Sequence, residues 1–262
     1  INKVKINTFL SDFLLHYFSN YEISNKIETE TDAELLKITT SKTGDFIVKS
    51  QLEDLTTELF NYIWLKGKVP VPNIEFFYKD NNINIICVSA LAGNTLEEQI
   101  QFCDPNIVVK RFAYALKLLH SIPISKSVIV QDIDVRIENA RFNIDNGKVD
   151  STNFQFENRD IPLKKLFNKL LHLKPNLVKE DLVFTHGDYC FDNILFNENE
   201  LAGFVDLGNG GLADRYQDLA LAFRSINNWL DEKYINIFIE EYGLNEIDQK
   251  RIEFYTLLDE FF

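Results

Sequence analysis

Residues 183–206 read VFTHGDYCFDNILFNENELAGFVD, and this stretch decides how the rest of the chain is interpreted. Two short apolar runs in it flank the polar segment 197–200, a pattern typical of a β-hairpin. Asn193 and Asp206 stand at the two outer ends of the predicted hairpin. We therefore expect one amide and one carboxylate to lie together at one edge of it.

The polar residues of this stretch have the spacing of a phosphoryl-transfer site. His-Gly-Asp at 186–188, followed by Asn193, matches the H-x-D-x-x-x-x-N spacing of a kinase catalytic loop, and Asp-Leu-Gly at 206–208 stands where such enzymes carry D-F-G. A carboxylate is needed beside the attacking hydroxyl, so Asp188 is the candidate catalytic base. Magnesium takes few protein oxygens, so Asn193 and Asp206 are the candidate metal ligands.

Two other interpretations of this stretch are possible. Short motifs often occur by chance, so His-Gly-Asp could be fortuitous and Asp206 could merely end a strand. Alternatively, His186, Asp188 and Asp192 could bind the metal of a hydrolase, but no second histidine is clustered with them. The complete set of motifs in order favours phosphoryl transfer.

Length and composition limit the class of protein. The chain has 262 residues, 45% of them hydrophobic and 13% aromatic, which predicts a globular protein of one domain or two closely packed lobes. No apolar run approaches the length of a membrane span, and the start lacks a signal-peptide pattern, so we expect a cytoplasmic protein without membrane association. Cys87, Cys103 and Cys190 are widely separated and should be free thiols.

The formal net charge is -13, from 27 basic and 40 acidic residues. This balance disfavours nucleic acid as a partner, because a nucleic-acid backbone is itself anionic. A small cationic substrate is a better match, although surplus acid also keeps proteins soluble without any binding role.

The first part of the chain predicts a helix followed by two sets of strands. The helix is predicted at 8–18, a three-stranded meander at 21–28, 34–40 and 45–50, and a second hairpin at 74–78 and 83–89.

One lysine and one glutamate of this part have the pattern of a nucleotide site. Lys49 follows an apolar run on the third strand, and Glu58 lies on a predicted helix at 53–66, so the two could form the lysine–glutamate pair of a kinase. The turn after the first strand lacks G-x-G-x-x-G, so phosphate cover there would use backbone N–H groups and the hydroxyl of Thr31.

After a linker at 89–93, the periodicity becomes helical. Helices are predicted at 96–102, 107–120, 135–144, 213–227, 233–242 and 251–262. The polar and aromatic segment 149–163 fits either a substrate-facing insertion or an ordinary surface loop. Asp218, on one of these helices, is expected to brace the catalytic loop rather than touch substrate.

Over nearly its whole length the chain resembles the aminoglycoside phosphotransferases, in particular the aminoglycoside 3'-phosphotransferases. The resemblance rests on five stretches. In chain order they are GKVPVPNI, LLHSIPIS, VFTHGDYCFDNILF, GFVDLGNGGLADRYQDLALAFRSI and LLDEFF. It implies an α+β, protein-kinase-like fold of two lobes: a nucleotide-binding lobe at 1–91 and a catalytic and substrate-binding lobe at 92–262. The implied reaction is phosphorylation of the 3'-hydroxyl of an aminoglycoside by ATP with Mg²⁺, which confers antibiotic resistance.

The resemblance also implies a role for individual residues. Besides the base and the two metal ligands named above, it places the nucleotide at Lys49, Glu58, Thr31, Ile47 and the backbone of Ser89 and Leu91, and the substrate amines at Glu157, Asp160, Glu260 and the carboxylate of Phe262. Ile47 replaces an aromatic residue that relatives often stack on adenine. Asn209 replaces an arginine, and Thr152 and Gln155 stand where acids are expected, which puts the substrate range in doubt.

Two alternatives to this function remain. A related kinase acting on another amino alcohol or sugar would share the ATP machinery and differ at 149–163 and at the C-terminus. A kinase-like binding module without catalysis is the alternative outside enzymes, but retention of all the motif residues argues against it. We expect a monomer or weak dimer.

Overall fold

An antiparallel five-stranded sheet organises the N-terminal part of the computed structural model, which describes residues 8–27, 33–40, 44–124, 128–176 and 178–262. The elements of this part are α1 (Thr8–Phe18), β1 (Glu22–Ile27), β2 (Glu34–Thr40), β3 (Gly44–Gln51), α2 (Thr56–Leu65), β4 (Ile74–Lys79) and β5 (Asn84–Ser89). The strand order is β1-β2-β3-β5-β4. The predicted meander and second hairpin are both confirmed.

The two faces of β3 have different surroundings. Successive side chains of a strand point to opposite faces, and Phe46 and Val48 are buried with Leu10 and Leu14 of α1 in a small apolar core. Lys49 and the partly buried Ile47 therefore lie on the opposite face, and Ile47 packs against the larger core of the molecule. This alternation directs Lys49 away from α1.

The C-terminal part is mostly helical. Its helices are α3 (Leu96–Ile100), α4 (Pro105–His120), α5 (Ile133–Asp145), α6 (Leu163–Leu173), α7 (Tyr216–Trp229), α8 (Ile235–Tyr242) and α9 (Gln249–Asp259). Its strands are β6 (Asn94–Thr95), β7 (Leu182–Thr185), β8 (Ile194–Asn197), β9 (Glu200–Phe204) and β10 (Gly211–Asp214), which form the sheets β6-β8-β9 and β7-β10. Within the described ranges, no helix combines the length and the apolar character that crossing a bilayer requires.

The hairpin predicted from the deciding stretch is present as β8 and β9. Ile194 pairs with Phe204, and Asn197 pairs with Glu200 at the turn. The hydrogen bond from the N–H of Val205 to the carbonyl of Asn193, at 3.0 Å, extends the pairing to the ends of the hairpin. Asn193 and the residue before Asp206 are therefore backbone neighbours.

Two predicted helices have different ends in the structure. The helix predicted at 213–227 begins only at Tyr216, because residues 211–214 pair with β7 and form β10. The last predicted helix ends at Asp259, so residues 260–262 lie beyond it.

The segment 149–163 forms two short 3-10 turns, at Ser151–Asn153 and Phe156–Asn158. Helix α6, which follows it, was not predicted from the sequence. Its residues Leu166, Phe167 and Leu170 are buried.

Candidate functional site

The loop after β7, residues 186–193, has a backbone that only glycine fits at one position. Gly187 has φ 83°, in the left-handed region that side chains disfavour. A Cβ atom built there would lie 2.0 Å from the carbonyl oxygen of Asn209. The close approach brings the backbone of the loop against the segment that follows Asp206.

Asp218, in the first turn of α7, braces this loop as expected. Its carboxylate accepts hydrogen bonds from the N–H groups of His186 at 2.7 Å and Gly187 at 2.9 Å. It also contacts the ring of His120 at 2.9 Å, and the other ring nitrogen of His120 lies 2.7 Å from the hydroxyl of Tyr242. The loop is thus fixed to helices α4, α7 and α8 through one buried carboxylate.

His186 has a packing environment rather than a metal-binding one. Its ring is fully buried and lies edge-on to Tyr189 with the ring centroids 5.9 Å apart. Burial lowers the pKa of the imidazole below its ordinary value, which favours the neutral ring. In the part of the chain that the structure describes, no group of three or more His, Cys, Asp or Glu is arranged so that it could hold a metal ion.

Lys49 lies between two carboxylates contributed by different elements. Its ammonium is 3.1 Å from Oε2 of Glu58 on α2 and 2.7 Å from Oδ1 of Asp206. Burial alone would lower the pKa of Lys49, but Glu58 and Asp206 together raise it above its ordinary value, so the ammonium remains charged. The structure therefore brings together the three residues that the sequence placed around the nucleotide phosphates.

Helix α2 also holds the backbone of the Asp-Leu-Gly segment, a role the sequence did not reveal. The amide nitrogen of Asn61 donates to the carbonyls of Leu207 at 2.8 Å and Gly210 at 2.9 Å. The hydroxyl of Tyr62 donates to Glu58 at 3.1 Å and accepts from the N–H of Asp206 at 3.2 Å. These bonds explain why the buried face of α2 is polar.

Asp206 itself has a backbone conformation that is uncommon for a residue with a side chain. Its φ is 54°, and its side chain remains 48% exposed. Such strain usually persists only where surrounding contacts impose it, and it concentrates at functional sites. Here the Tyr62 hydroxyl and the Lys49 ammonium are those contacts.

Asp188 is held by the amide of Asn193. The Asn193 nitrogen donates to the Asp188 backbone carbonyl at 2.9 Å and to Oδ2 of its carboxylate at 3.1 Å. Burial, followed by the negative charges of Asp206 and Asp259, raises the pKa of Asp188 to about 7. The site is therefore a concentration of negative charge in which a cation would stabilise the Asp188 carboxylate.

The donor set at the base of the hairpin fits a magnesium ion. The Asn193 nitrogen is directed at Asp188, which leaves the amide oxygen as a ligand, and half of the Asp206 carboxylate side chain is open to solvent. Both are hard oxygen donors, which magnesium prefers.

At the end of β5, backbone bonds fix the segment predicted to receive adenine. The N–H of Ser89 donates to Asn73 at 2.8 Å, and that of Ala90 donates to Asp45 at 2.9 Å. Among the described residues, no acceptor binds the N–H of Leu91, so this donor is free for a ligand. Thr31 lies outside the residues that the structure describes.

The predicted substrate residues occupy two environments. Glu157 and Asp160 are exposed on the segment 149–163. Glu260 is only 4% exposed. The ring of Phe262 lies under the guanidinium of Arg136, 4.0 Å from its centroid, and stays partly exposed.

Sequence reasoning missed Asp259, the acid beside Glu260. Its charge acts on Asp188, and its carboxylate forms an ion pair with Arg224 of α7. The position of Asp259 in the LDEFF ending was the available signal, but helical periodicity does not indicate which acid of an adjacent pair acts on Asp188. The three cysteines are free, as expected, and burial raises the pKa of the Cys190 thiol.

Comparisons with known proteins agree with this geometry. A family model described as the phosphotransferase enzyme family, APH, matches residues 27–255. An aminoglycoside 3'-phosphotransferase of Niallia circulans is 35% identical over 209 residues, which are 79% of this chain and 79% of that protein.

Solved structures of two further proteins share the fold. The crystal structure of an aminoglycoside 3'-phosphotransferase of type VIII has a TM-score of 0.81 and 23% identity, covering 98% of this chain and 100% of that one. An aminoglycoside phosphotransferase of Streptomyces rimosus, in complex with ADP and streptomycin, has a TM-score of 0.76 and 21% identity, covering 96% of this chain and 98% of that one. The predicted α+β, protein-kinase-like fold is confirmed.

Proposed function

The chain belongs to the phosphotransferase enzyme family, and from this premise we propose that it transfers the γ-phosphoryl group of ATP to the 3'-hydroxyl of an aminoglycoside. The observation that carries the proposal is the meeting of Lys49, Glu58 and Asp206 beside the loop that presents Asp188 and Asn193. Separate elements contribute these side chains, so chance motif matches do not explain the arrangement. The relative from Niallia circulans supports the substrate class.

Asp188 acts as the proton acceptor in the proposed reaction. As the substrate oxygen bonds to the γ-phosphorus, the bond between that phosphorus and the leaving oxygen breaks, ADP departs, and the hydroxyl proton passes to the Asp188 carboxylate. Asn193 keeps this carboxylate oriented through the 3.1 Å bond. Asp218 keeps the whole loop in position through its two backbone bonds.

Lys49 binds the nucleotide phosphates, and Glu58 holds its ammonium in place. Asn193 and Asp206 would hold Mg²⁺, which when bound supplies positive charge that neutralises the transferring phosphates. Residues 1–91 then form the nucleotide-binding lobe and residues 92–262 the catalytic and substrate-binding lobe. Adenine meets the Leu91 N–H and the aliphatic side chain of Ile47.

The charge of the site matches a polycationic substrate. Burial, together with the negative charges of Asp206 and Asp259, raises the pKa of Asp188, so positive charge brought by a ligand would stabilise its carboxylate. Aminoglycosides carry several ammonium groups, so each can offset part of this repulsion. Glu157 and Asp160, exposed on the segment 149–163, add acceptors at its rim.

Turnover with ATP across a panel of aminoglycosides tests this function. We expect phosphate on the 3'-oxygen of kanamycin-type substrates, identified by NMR of the product. A 3'-deoxy aminoglycoside should bind as an inhibitor without turning over. Phosphorylation at another position would show that the reaction is right and the site wrong, whereas turnover of other amino alcohols or sugars alone would favour the related small-molecule kinase.

A further inference from the structure

The buried carboxylate of Glu260 joins the C-terminus to the segment 149–163. Its Oε1 atom accepts hydrogen bonds from the N–H of Gln155 at 3.0 Å and from the side-chain nitrogen of Asn158 at 3.3 Å. Asn158 is itself buried, at 6% exposure. The 3-10 turn Phe156–Asn158 is thus held at both ends by one oxygen atom of Glu260.

The other oxygen, Oε2 of Glu260, is buried and has no hydrogen-bond partner among the described residues. An unsatisfied buried carboxylate oxygen is costly, and such atoms are rare in folded proteins unless a ligand or water completes them. A charge pair also gains most where solvent is excluded. An ammonium donor placed at Oε2 would therefore satisfy a buried acceptor that the described residues leave without a partner.

We propose that Asn158 is a positioning residue, which holds Oε1 of Glu260 so that Oε2 stays directed toward a substrate ammonium group. Asn158 acts through Glu260 and contacts no reacting atom. The inference rests on the proposed aminoglycoside substrate, since it needs a cationic ligand. Ordering of the turn 156–158 and binding of that ammonium group would therefore depend on each other.

The charges around Glu260 are consistent with this role. Burial raises the pKa of Glu260, while the bonds from Gln155 and Asn158 and the charge of Arg224 oppose the rise. Asp259, the next acid on the chain, acts in the same direction as burial but is itself paired with Arg224. Arg224 therefore pairs directly with Asp259 and acts on Glu260 through its charge alone, without a hydrogen bond to Oε2.

Replacing Asn158 separates positioning from simple packing. Asn158→Leu keeps the approximate size and removes the donor, so KM for the aminoglycoside should rise about tenfold at every pH, in line with the loss of a hydrogen bond to a charged group. KM for ATP should not change, because Lys49 and the segment 89–91 at the end of β5 are untouched.

Asn158→Asp gives a signature that packing cannot produce. At high pH the new carboxylate repels Glu260, whereas at low pH the two can share a proton, which restores a donor to Oε1. The ratio of the variant's aminoglycoside KM to that of the wild type should therefore fall several-fold as the pH is lowered from 8 to 6. Both states come from one protein sample, so the comparison holds even if the leucine variant fails to fold.

Asn168→Asp is the matched control, because it makes the same change at an exposed position of α6 and should leave every KM unaltered. A wild-type KM in Asn158→Leu together with a flat ratio in Asn158→Asp would overturn the positioning role. Amide hydrogen exchange at Gln155 reports on the bond from its N–H to Glu260 in the absence of substrate, and it should be faster in Asn158→Leu. If wild-type protein turns over no aminoglycoside while that exchange still responds to the substitution, the proposed function fails, but the structural link between Asn158 and Glu260 is supported.

Discussion

Asp188 is buried within the influence of the negative charges of Asp206 and Asp259, and its carboxylate accepts a hydrogen bond from the amide of Asn193. Burial and the charges of Asp206 and Asp259 raise its pKa to about 7, so the free site holds its proton-accepting form only partly at neutral pH. In the proposed reaction, the cationic substrate and Mg²⁺ would lower this pKa and favour the carboxylate form of Asp188 that accepts a proton.

The first prediction concerns this carboxylate. Asp188→Asn should lower kcat by at least about a hundredfold, the lower range for loss of a general base, with little change in KM for ATP. Asp192→Asn makes the same change at an exposed position of the same loop and should retain most of the activity. Steady-state kinetics of the two variants decide the assignment, which near-wild-type turnover in Asp188→Asn would contradict.

The second prediction concerns the buried His120. Burial lowers its pKa below the ordinary value of 6.5, although Asp218 opposes the shift. Below pH 6.5 the unfolded chain therefore binds more protons at this residue than the folded chain, so the stability contributed at higher pH is lost as pH falls.

His120→Gln should make the melting temperature less dependent on pH between about 7 and 5, because glutamine keeps a donor for Asp218 and cannot be protonated. His172→Gln, at an exposed histidine of α6, is the control and should leave the pH dependence of wild type. Calorimetry across that pH range measures it. An unaltered slope in His120→Gln would assign the acid sensitivity to other groups.

At the scale of elements, the catalytic loop is shaped by helices that contribute no reacting group. Helix α7 supplies Asp218, and α2 supplies Asn61 and Tyr62, all bonded to backbone atoms of the two motif segments. Backbone recognition of this kind fixes the path of the chain independently of the side chains displayed. These helices therefore position the motif side chains by holding the backbone that carries them.

The third prediction follows from the contact between α7 and the loop. Asp218→Asn leaves an amide nitrogen facing at least one backbone N–H, because the carboxylate accepts from both His186 and Gly187. We expect a loss of about 3 kcal/mol in the free energy of unfolding, the range for breaking a buried charged network.

Urea unfolding measures this loss, and kcat should fall with it because the loop carries Asp188. Asp145→Asn, at the exposed end of α5, is the control and should change stability by less than about 0.5 kcal/mol. Equal midpoints for Asp218→Asn and wild type would show that the bonds to the loop contribute no net stability.

At the scale of the whole molecule, the two parts of the chain share one apolar core, and charged and polar contacts also join them at the site. Lys49 and Asn61 of the N-terminal part bond to the segment 206–210, and Lys148 pairs with Glu53 at 3.2 Å. Apolar contacts join the two parts as well, because Trp64 of α2 stacks on Phe184 of β7 with the ring centroids 4.9 Å apart. The chain as a whole carries a net charge of -13.

The fourth prediction concerns this surplus charge. If it is concentrated at the substrate cleft, aminoglycoside affinity should weaken with added salt more steeply than ATP affinity, because several ammonium–carboxylate contacts are screened together. Calorimetric titrations of each ligand at rising salt concentration give the two slopes. Equal slopes would assign the surplus acid to solubility alone.

The sequence by itself determined the local part of the site. The hairpin β8-β9, and with it the neighbouring ends that carry Asn193 and Asp206, follows from alternating apolar and polar residues around a four-residue polar segment. Lys49 and Glu58 could be paired because they stand on consecutive elements, where few arrangements are possible. In both cases the information lies within a few tens of residues, so a periodic pattern is enough to find it.

Only the tertiary structure decided which distant residues serve these motifs. The residues 211–214 became a strand because β7 was available to pair with them, and nothing in four residues signals a partner that far away. Asn61 bonds to the carbonyl of Leu207, Asp259 pairs with the guanidinium of Arg224, and Glu260 bonds to the turn 156–158. All of these partners are distant in sequence. Amide and carboxylate groups bond equally well to many partners, so their identity alone does not specify one. The packing of the surrounding apolar core selects the partner by fixing which groups come within hydrogen-bonding distance.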